Sequence, residues 1–191
     1  MMQLRVLIIG PGDLACRLAA ELVHCPHVGE LVLAGRQSGR GRSIAHALSL
    51  RGARVRFAEL DALHLDAVVE TLERERPVLI VQCGTLLSPW ALSGRTGPIA
   101  QAVRTAGFAV QLPAQLPILT NVMRAARETQ VAGTQIPVVN CSYPDVTHAM
   151  LQPLNLAPVI GVGNVGMIRQ QVLDGLQRRD PSQAVTTVRV L

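Results

Sequence analysis

The chain has 191 residues, of which 49% are hydrophobic and 16% charged, enough apolar material for one substantial core, or for one domain plus the first elements of another. No apolar run reaches the ~18 to 20 residues a membrane helix needs, and Met1 leads straight into a strand pattern without a basic, apolar leader, so a cytoplasmic protein with no membrane association is expected. The formal charge is +5 and the pI about 9.8, but the arginines are dispersed and only one Trp, one Tyr and two Phe could stack on bases, which argues against a nucleic-acid partner.

All 18 basic residues are arginine, which removes Schiff-base chemistry and any lysine general base. Cys16, Cys25, Cys83 and Cys141 are scattered and form no CxxC, so neither a disulfide framework nor a metal site is expected.

Short runs rich in Val, Ile and Leu recur at residues 4–9, 31–34, 54–58, 78–82, 109–112, 138–140 and 159–162. Between them lie segments of helical character at 13–24, 42–51, 63–75, 98–106, 117–130, 145–151 and 167–178. Such alternation predicts an α/β fold, a doubly wound parallel sheet of six to seven strands, because each long crossover returns the chain in a parallel sense. Gly52 and Gly107 stand where a left-handed residue ends a helix, and Pro98 and Pro117 where a first-turn proline loses no hydrogen bond. The expected domain covers residues 1–166, with 167–191 the start of a second domain or an extension. The last segment, 184–191, alternates like a strand without a visible partner, as in a fragment or a chain that pairs with another subunit.

The first strand runs into Gly10-Pro11-Gly12-Asp13-Leu14-Ala15 and then a helix. Gly10 permits a tight turn, Gly12 lets backbone approach a diphosphate, and the small Ala15 lets the helix pack on the strand, while the N–H groups at Asp13 and Leu14 open a positive dipole end. The second run ends in Gly35-Arg36-Gln37-Ser38-Gly39-Arg40-Gly41-Arg42, and no carboxylate occurs between Glu30 and Glu59. An NAD site places an acidic residue there for the ribose 2′-OH, whereas Arg36 can stack on adenine and grip a 2′-phosphate, with Ser38, Arg40 or Arg42 adding contacts. NADP is therefore preferred over NAD.

Ligands in open parallel sheets lie beyond the carboxyl ends of the strands. After the fourth run, the small Gly84 and Thr85 admit a cofactor ribose, and Trp90 stands in a position to cap a pocket or simply to pack. After the sixth run, Asn140, Tyr143, Asp145 and His148 gather polar groups; the last three are candidates to position substrate or carry protons, with Asp145 equally suited to cap a helix. A second glycine run, Gly161-Val162-Gly163-Asn164-Val165-Gly166, leaves too little chain after it for adenosine recognition, so it is read as a loop near the nicotinamide with Asn164 as an amide or substrate contact.

The Gly10 to Ala15 loop, the Ala34-Gly35-Arg36 strand end and the segment from Cys83 to Trp90 resemble the nucleotide domain of saccharopine-dehydrogenase-like NADP oxidoreductases. Asn121, then Val138-Val139-Asn140 with Pro144-Asp145-Val146, then Ile160-Gly161 with Gly163-Asn164, are similar to the later half of the lactate/malate dehydrogenase nucleotide domain. These resemblances imply a Rossmann-type domain passing hydride between NADP and a small carbonyl, imine, amino-acid or keto-acid substrate. They also imply that catalytic groups come from a second domain or a further copy, the alternative being a dinucleotide-binding sensor or subunit without turnover. An epimerase using a Tyr-x-x-x-Lys pair is excluded by the absence of lysine.

Overall fold

β1 (Leu4–Ile9) and β2 (Val28–Gly35) send successive apolar side chains to opposite faces, and both faces are covered, so the strands read as almost uninterrupted hydrophobic sequence. In the computed structural model, which describes residues 3–87, 95–106, 111–131, 133–142 and 146–162, they belong to a six-stranded parallel sheet. The remaining strands are β3 (Arg54–Glu59), β4 (Leu79–Gln82), β7 (Val138–Asn140) and β8 (Ile160–Gly161). Their order is β3-β2-β1-β4-β7-β8, with β5 (Gln130–Val131) and β6 (Thr134–Gln135) forming a separate antiparallel pair. Because β1 has β2 on one side and β4 on the other, the crossovers leave it in opposite directions and open a crevice at the strands' carboxyl ends.

Helices α1 (Asp13–Leu22) and α2 (Ser38–Ser49) cover one face, where Ala15, Ala19, Ala45 and Leu48 meet Val6, Ile8, Leu31 and Leu33. On the other face α3 (Leu65–Glu75) and α5 (Gln111–Glu128) bring Val68, Leu72, Leu119 and Val122 against Leu7, Ile9, Val32 and Ile80. Burying each such aliphatic side chain contributes roughly 1.5–3 kcal/mol. α4 (Pro98–Ala106) begins on its proline as expected, and α6 (Val146–Leu151) follows β7.

At the amino end of the sheet, Glu30 accepts from Arg5 Nε (2.5 Å) and Arg56 Nε (2.7 Å), while Glu75 accepts from Arg56 and from Arg74 Nε (3.0 Å). Burial opposes ionisation of both carboxyls, but the arginine hydrogen bonds outweigh it and hold Glu30 and Glu75 below the ordinary carboxylate range.

Three local expectations are corrected. The strand expected at 109–112 is not one in its described part: Gln111 and Leu112 open α5. Pro113 occupies the first turn, where its missing N–H is harmless, and this leaves Pro117 inside the helix rather than at its start. Pro117 is exposed beside a groove with Pro113 and Thr120, so water can reach the carbonyl that it leaves unbonded. Gly52 does not adopt a positive φ; it is glycine because an added Cβ would lie 2.3 Å from the Val23 carbonyl oxygen. Gly107, the segments expected at 167–178 and 184–191, and the boundary after 166 lie outside the described residues.

Candidate functional site

The site is built on the turn from β1 to α1. Gly10 adopts φ +84°, and its N–H donates to the Ala34 carbonyl (2.8 Å), tying the turn to the end of β2. A Cβ on Gly10 would stand 2.3 Å from the Gly84 Cα, so the turn lies directly on the loop after β4. Gly12 is the N-cap of α1 with no capping side chain, and an added Cβ there would meet nothing within 4 Å. The first turn of α1 therefore begins without a capping side chain and with free space at its glycine. Pro11 between them packs on Gly35, where a Cβ would come within 2.6 Å of the proline ring.

A cleft of about 670 Å³ opens in front of this turn. Gly10, Gly12, Asp13, Leu14 and Ala15 line it, as do Arg36 and Arg40 at the end of β2 and start of α2, and Gly84 and Thr85 after β4. The structure thus gathers those nine expected residues around one space. Arg40 and Arg42 belong to α2, which starts at Ser38 with no acidic residue in its first turn, so an arginine-bearing helix end meets the cleft. Arg40 reaches Asp13 across the mouth at 3.7 Å, an exposed pair worth under ~1 kcal/mol and easily rearranged.

Other expected residues stand elsewhere. Ser38 is the first residue of α2 and does not line the cleft. Asn140 is fully buried behind it, its Oδ1 accepting from Ser142 Oγ (2.9 Å) and Gln115 Nε2 (3.3 Å). These donors orient the amide so that Asn140 Nδ2 donates to His148 Nε2 (2.8 Å), which requires the neutral imidazole tautomer with its proton on Nδ1. Gln115 also bonds the Ser142 carbonyl (2.7 Å), and Thr147 Oγ1 donates to Gln115 Oε1 (3.1 Å). Asn140 and His148 are in this way internal braces among the described residues, and the groups presented to the cleft are Cys141 and Ser142. Tyr143, Asp145, Asn164 and Trp90 lie outside the described residues.

Sequence reasoning overlooked the third wall, Leu60, Asp61 and Ala62 after β3, and Ile118 from α5. Asn121 braces that wall, its Nδ2 donating to the carbonyls of Ala62 (3.1 Å) and Leu63 (2.9 Å). Thr85 Oγ1 donates to the Leu87 carbonyl (3.1 Å), and Leu86 N–H to the Ala114 carbonyl (2.9 Å), which fastens the fourth wall to α5. Hydrogen bonding to Cys141 and burial push the Cys83 thiol up, and burial does the same for Cys16. Among the described residues no cluster of His, Cys, Asp or Glu could hold a metal ion, and no helix is long and apolar enough to cross a membrane.

A parallel sheet with this strand order, a glycine turn at the switch point and a cleft beyond the carboxyl ends define a Rossmann-type α/β fold. No protein-family model matches the sequence, and no curated protein sequence matches it. Solved structures share the fold. The lactate dehydrogenase of Cryptosporidium parvum, solved with lactic acid and nicotinamide adenine dinucleotide, superposes with a TM-score of 0.65 at 13% identity, covering 96% of this chain and 52% of that one. The minor L-lactate dehydrogenase of Enterococcus mundtii gives 0.60 at 15% identity over 95% of this chain and 52% of that one. The L-Glu-forming saccharopine dehydrogenase of Saccharomyces cerevisiae gives 0.55 at 15% identity over 92% of this chain and 31% of that one. The chain thus spans about half the length of these lactate dehydrogenases, and both families named from the sequence recur among the fold's neighbours.

Proposed function

We propose that this chain is the nucleotide-binding portion of an NADP-dependent oxidoreductase acting on a small carbonyl, imine, amino-acid or keto-acid substrate. The observation that carries the reading is the joining, in one cleft, of an open glycine-turned helix end with Arg36 after β2 and Arg40 in the first turn of α2, a stretch of sequence that holds no carboxylate. The α1 amides from Asp13 to Ala15 would hold the diphosphate, with Gly12 leaving room for it. Arg36 and Arg40 would take the 2′-phosphate, and Leu60, Asp61 and Ala62 would border the adenine. The backbone at Gly84 and Thr85 would follow the ribose, and Cys141 and Ser142 would face the nicotinamide end. When bound, the cofactor supplies the hydride chemistry; the protein supplies orientation and exclusion of water.

Replacing Arg36 by alanine tests the assignment. Loss of a bidentate charged contact to a phosphate should weaken NADP by about tenfold or more, or ~1.4 kcal/mol, and leave NAD within about twofold. Equal loss for both would remove the role given to Arg36, and tighter binding of NAD by the wild type would favour the cofactor seen with the Cryptosporidium enzyme.

A second reading is favoured by one feature: among the described residues His148 is turned onto Asn140 and no acid–base pair is aimed into the cleft. The chain would then bind dinucleotide as a sensor, or complete its site with a partner domain or a second copy. Transfer of label from deuterated NADPH to keto acids or imines separates turnover from binding alone. Four cysteines in thiol form suit a reducing cytoplasmic setting, where we also place the protein.

A further inference from the structure

Gln82 at the end of β4 stands opposite Asn140 at the end of β7, and the Cys141 N–H donates to the Gln82 carbonyl (2.8 Å). The next residues, Cys83 and Cys141, therefore leave the ends of neighbouring parallel strands side by side, and such strands run about 4.8 Å apart, within the roughly 4.4–6.8 Å that a disulfide spans between Cα atoms. Their side chains share a face, both packing on the cluster that contains Val81, and both line the cleft. Cys16 bonds the Pro11 carbonyl at 3.8 Å, and neither it nor Cys25 lines the cleft.

We propose that Cys83 and Cys141 form a dithiol that a hydroperoxide converts to a disulfide in the wall of the cleft, and that bound dinucleotide and this oxidation exclude one another. The disulfide stands independently of the cofactor reading; the exclusion rests on it. Attack of one of the two sulfurs on a peroxide oxygen breaks the O–O bond, releases an alcohol, or water from hydrogen peroxide, and leaves a sulfenic acid. The other sulfur then attacks the sulfenic sulfur, its proton leaves with the hydroxide as water, and the S–S bond forms. Two thiols lose two electrons and two protons, which reduce one peroxide to alcohol and water. The exclusion has a geometric basis: Gly84, on which the Gly10 turn lies, is the next residue after Cys83, and a dinucleotide filling the cleft covers both sulfurs.

The test is non-reducing peptide mapping of the full chain after brief treatment with hydrogen peroxide, with and without NADP. The expected product links Cys83 to Cys141 ahead of any pair containing Cys16 or Cys25. Cys83→Ser or Cys141→Ser should stop at a sulfenic acid on the remaining cleft cysteine that dimedone traps. NADP at a hundred times its Kd should slow linkage roughly a hundredfold, since only the free form reacts. Preferential linkage through Cys16 or Cys25, or persistence of both cleft thiols while Cys25 oxidises, overturns the dithiol. Linkage at an unchanged rate, with calorimetry showing NADP bound, overturns the exclusion; absence of NADP binding by calorimetry instead marks failure of the cofactor reading.

Discussion

Replacing Gly10 and Gly12 by alanine, one at a time, separates folding from binding at the same turn. At Gly10 the backbone sits at φ +84°, and a methyl group would lie 2.3 Å from the Gly84 Cα and 2.5 Å from its nitrogen. A left-handed alanine costs about 1–2 kcal/mol before any contact is considered, and the contact is with backbone, which cannot swing aside as a side-chain tip can. Separating the two loops adds a loss of the overpacking kind, about 1–3 kcal/mol, so Gly10→Ala should lower stability by about 2–5 kcal/mol in urea unfolding. At Gly12 a methyl meets nothing within 4 Å, and the cost is that of alanine for glycine at an N-cap, under about 1 kcal/mol. That methyl occupies the approach to the helix amides, so Gly12→Ala should fold normally and bind NADP at least about tenfold more weakly, or ~1.4 kcal/mol. A Gly10→Ala protein as stable as the wild type, or a Gly12→Ala protein with undiminished affinity, would refute the reasoning.

Glu75 is 2% exposed and its carboxyl is held below the ordinary value of 4.5, so it contributes stability that is present above that value and lost as pH falls through its folded one. Glu75→Gln should cost about 2 kcal/mol at neutral pH, discounted because Arg56 and Arg74 are partly exposed, and the gap should narrow below pH 4.5 in denaturant titrations; a gap that widens in acid contradicts the assignment. Gln115→Leu leaves Ser142, Thr147 and Asn140 short of a buried partner and should lower stability by about 2–4 kcal/mol; thermal unfolding unchanged from wild type would mean that the network carries little. Leu7→Ala empties space in a fully buried strand and should cost about 2–5 kcal/mol, readable as an earlier urea midpoint.

The parts of the site that sequence reasoning found are those governed by local rules. Gly10 and Gly12 stand between an apolar run and a helical one, and a turn there is a matter of neighbouring residues alone, so its geometry could be anticipated. Arg36, which lines the cleft, stands out in the sequence because it directly follows the β2 run in a stretch that lacks a carboxylate. Leu60, Asp61 and Ala62 were overlooked although the rule that ligands lie beyond carboxyl ends applies to β3 as it does to β4; nothing in their composition distinguishes them from an ordinary loop. The Asn140 network could not be read at all, because Gln115 joins it from 25 residues before Asn140 and 32 before Thr147. Asn140 in isolation looked like a ligand group, and tertiary packing made it a brace. The start of α5 was misjudged for a related reason: Pro113 and Pro117 both suit a first turn, and only packing of Ala114 and Gln115 into the interior decides between them.

The most direct measurement is calorimetric titration of the folded chain with NADPH and, separately, NADH. Saturable binding of both is expected, tighter for NADPH, with the difference removed by Arg36→Ala. Heats indistinguishable from dilution for both dinucleotides, from a protein whose circular dichroism reports the intact α/β fold, would contradict it.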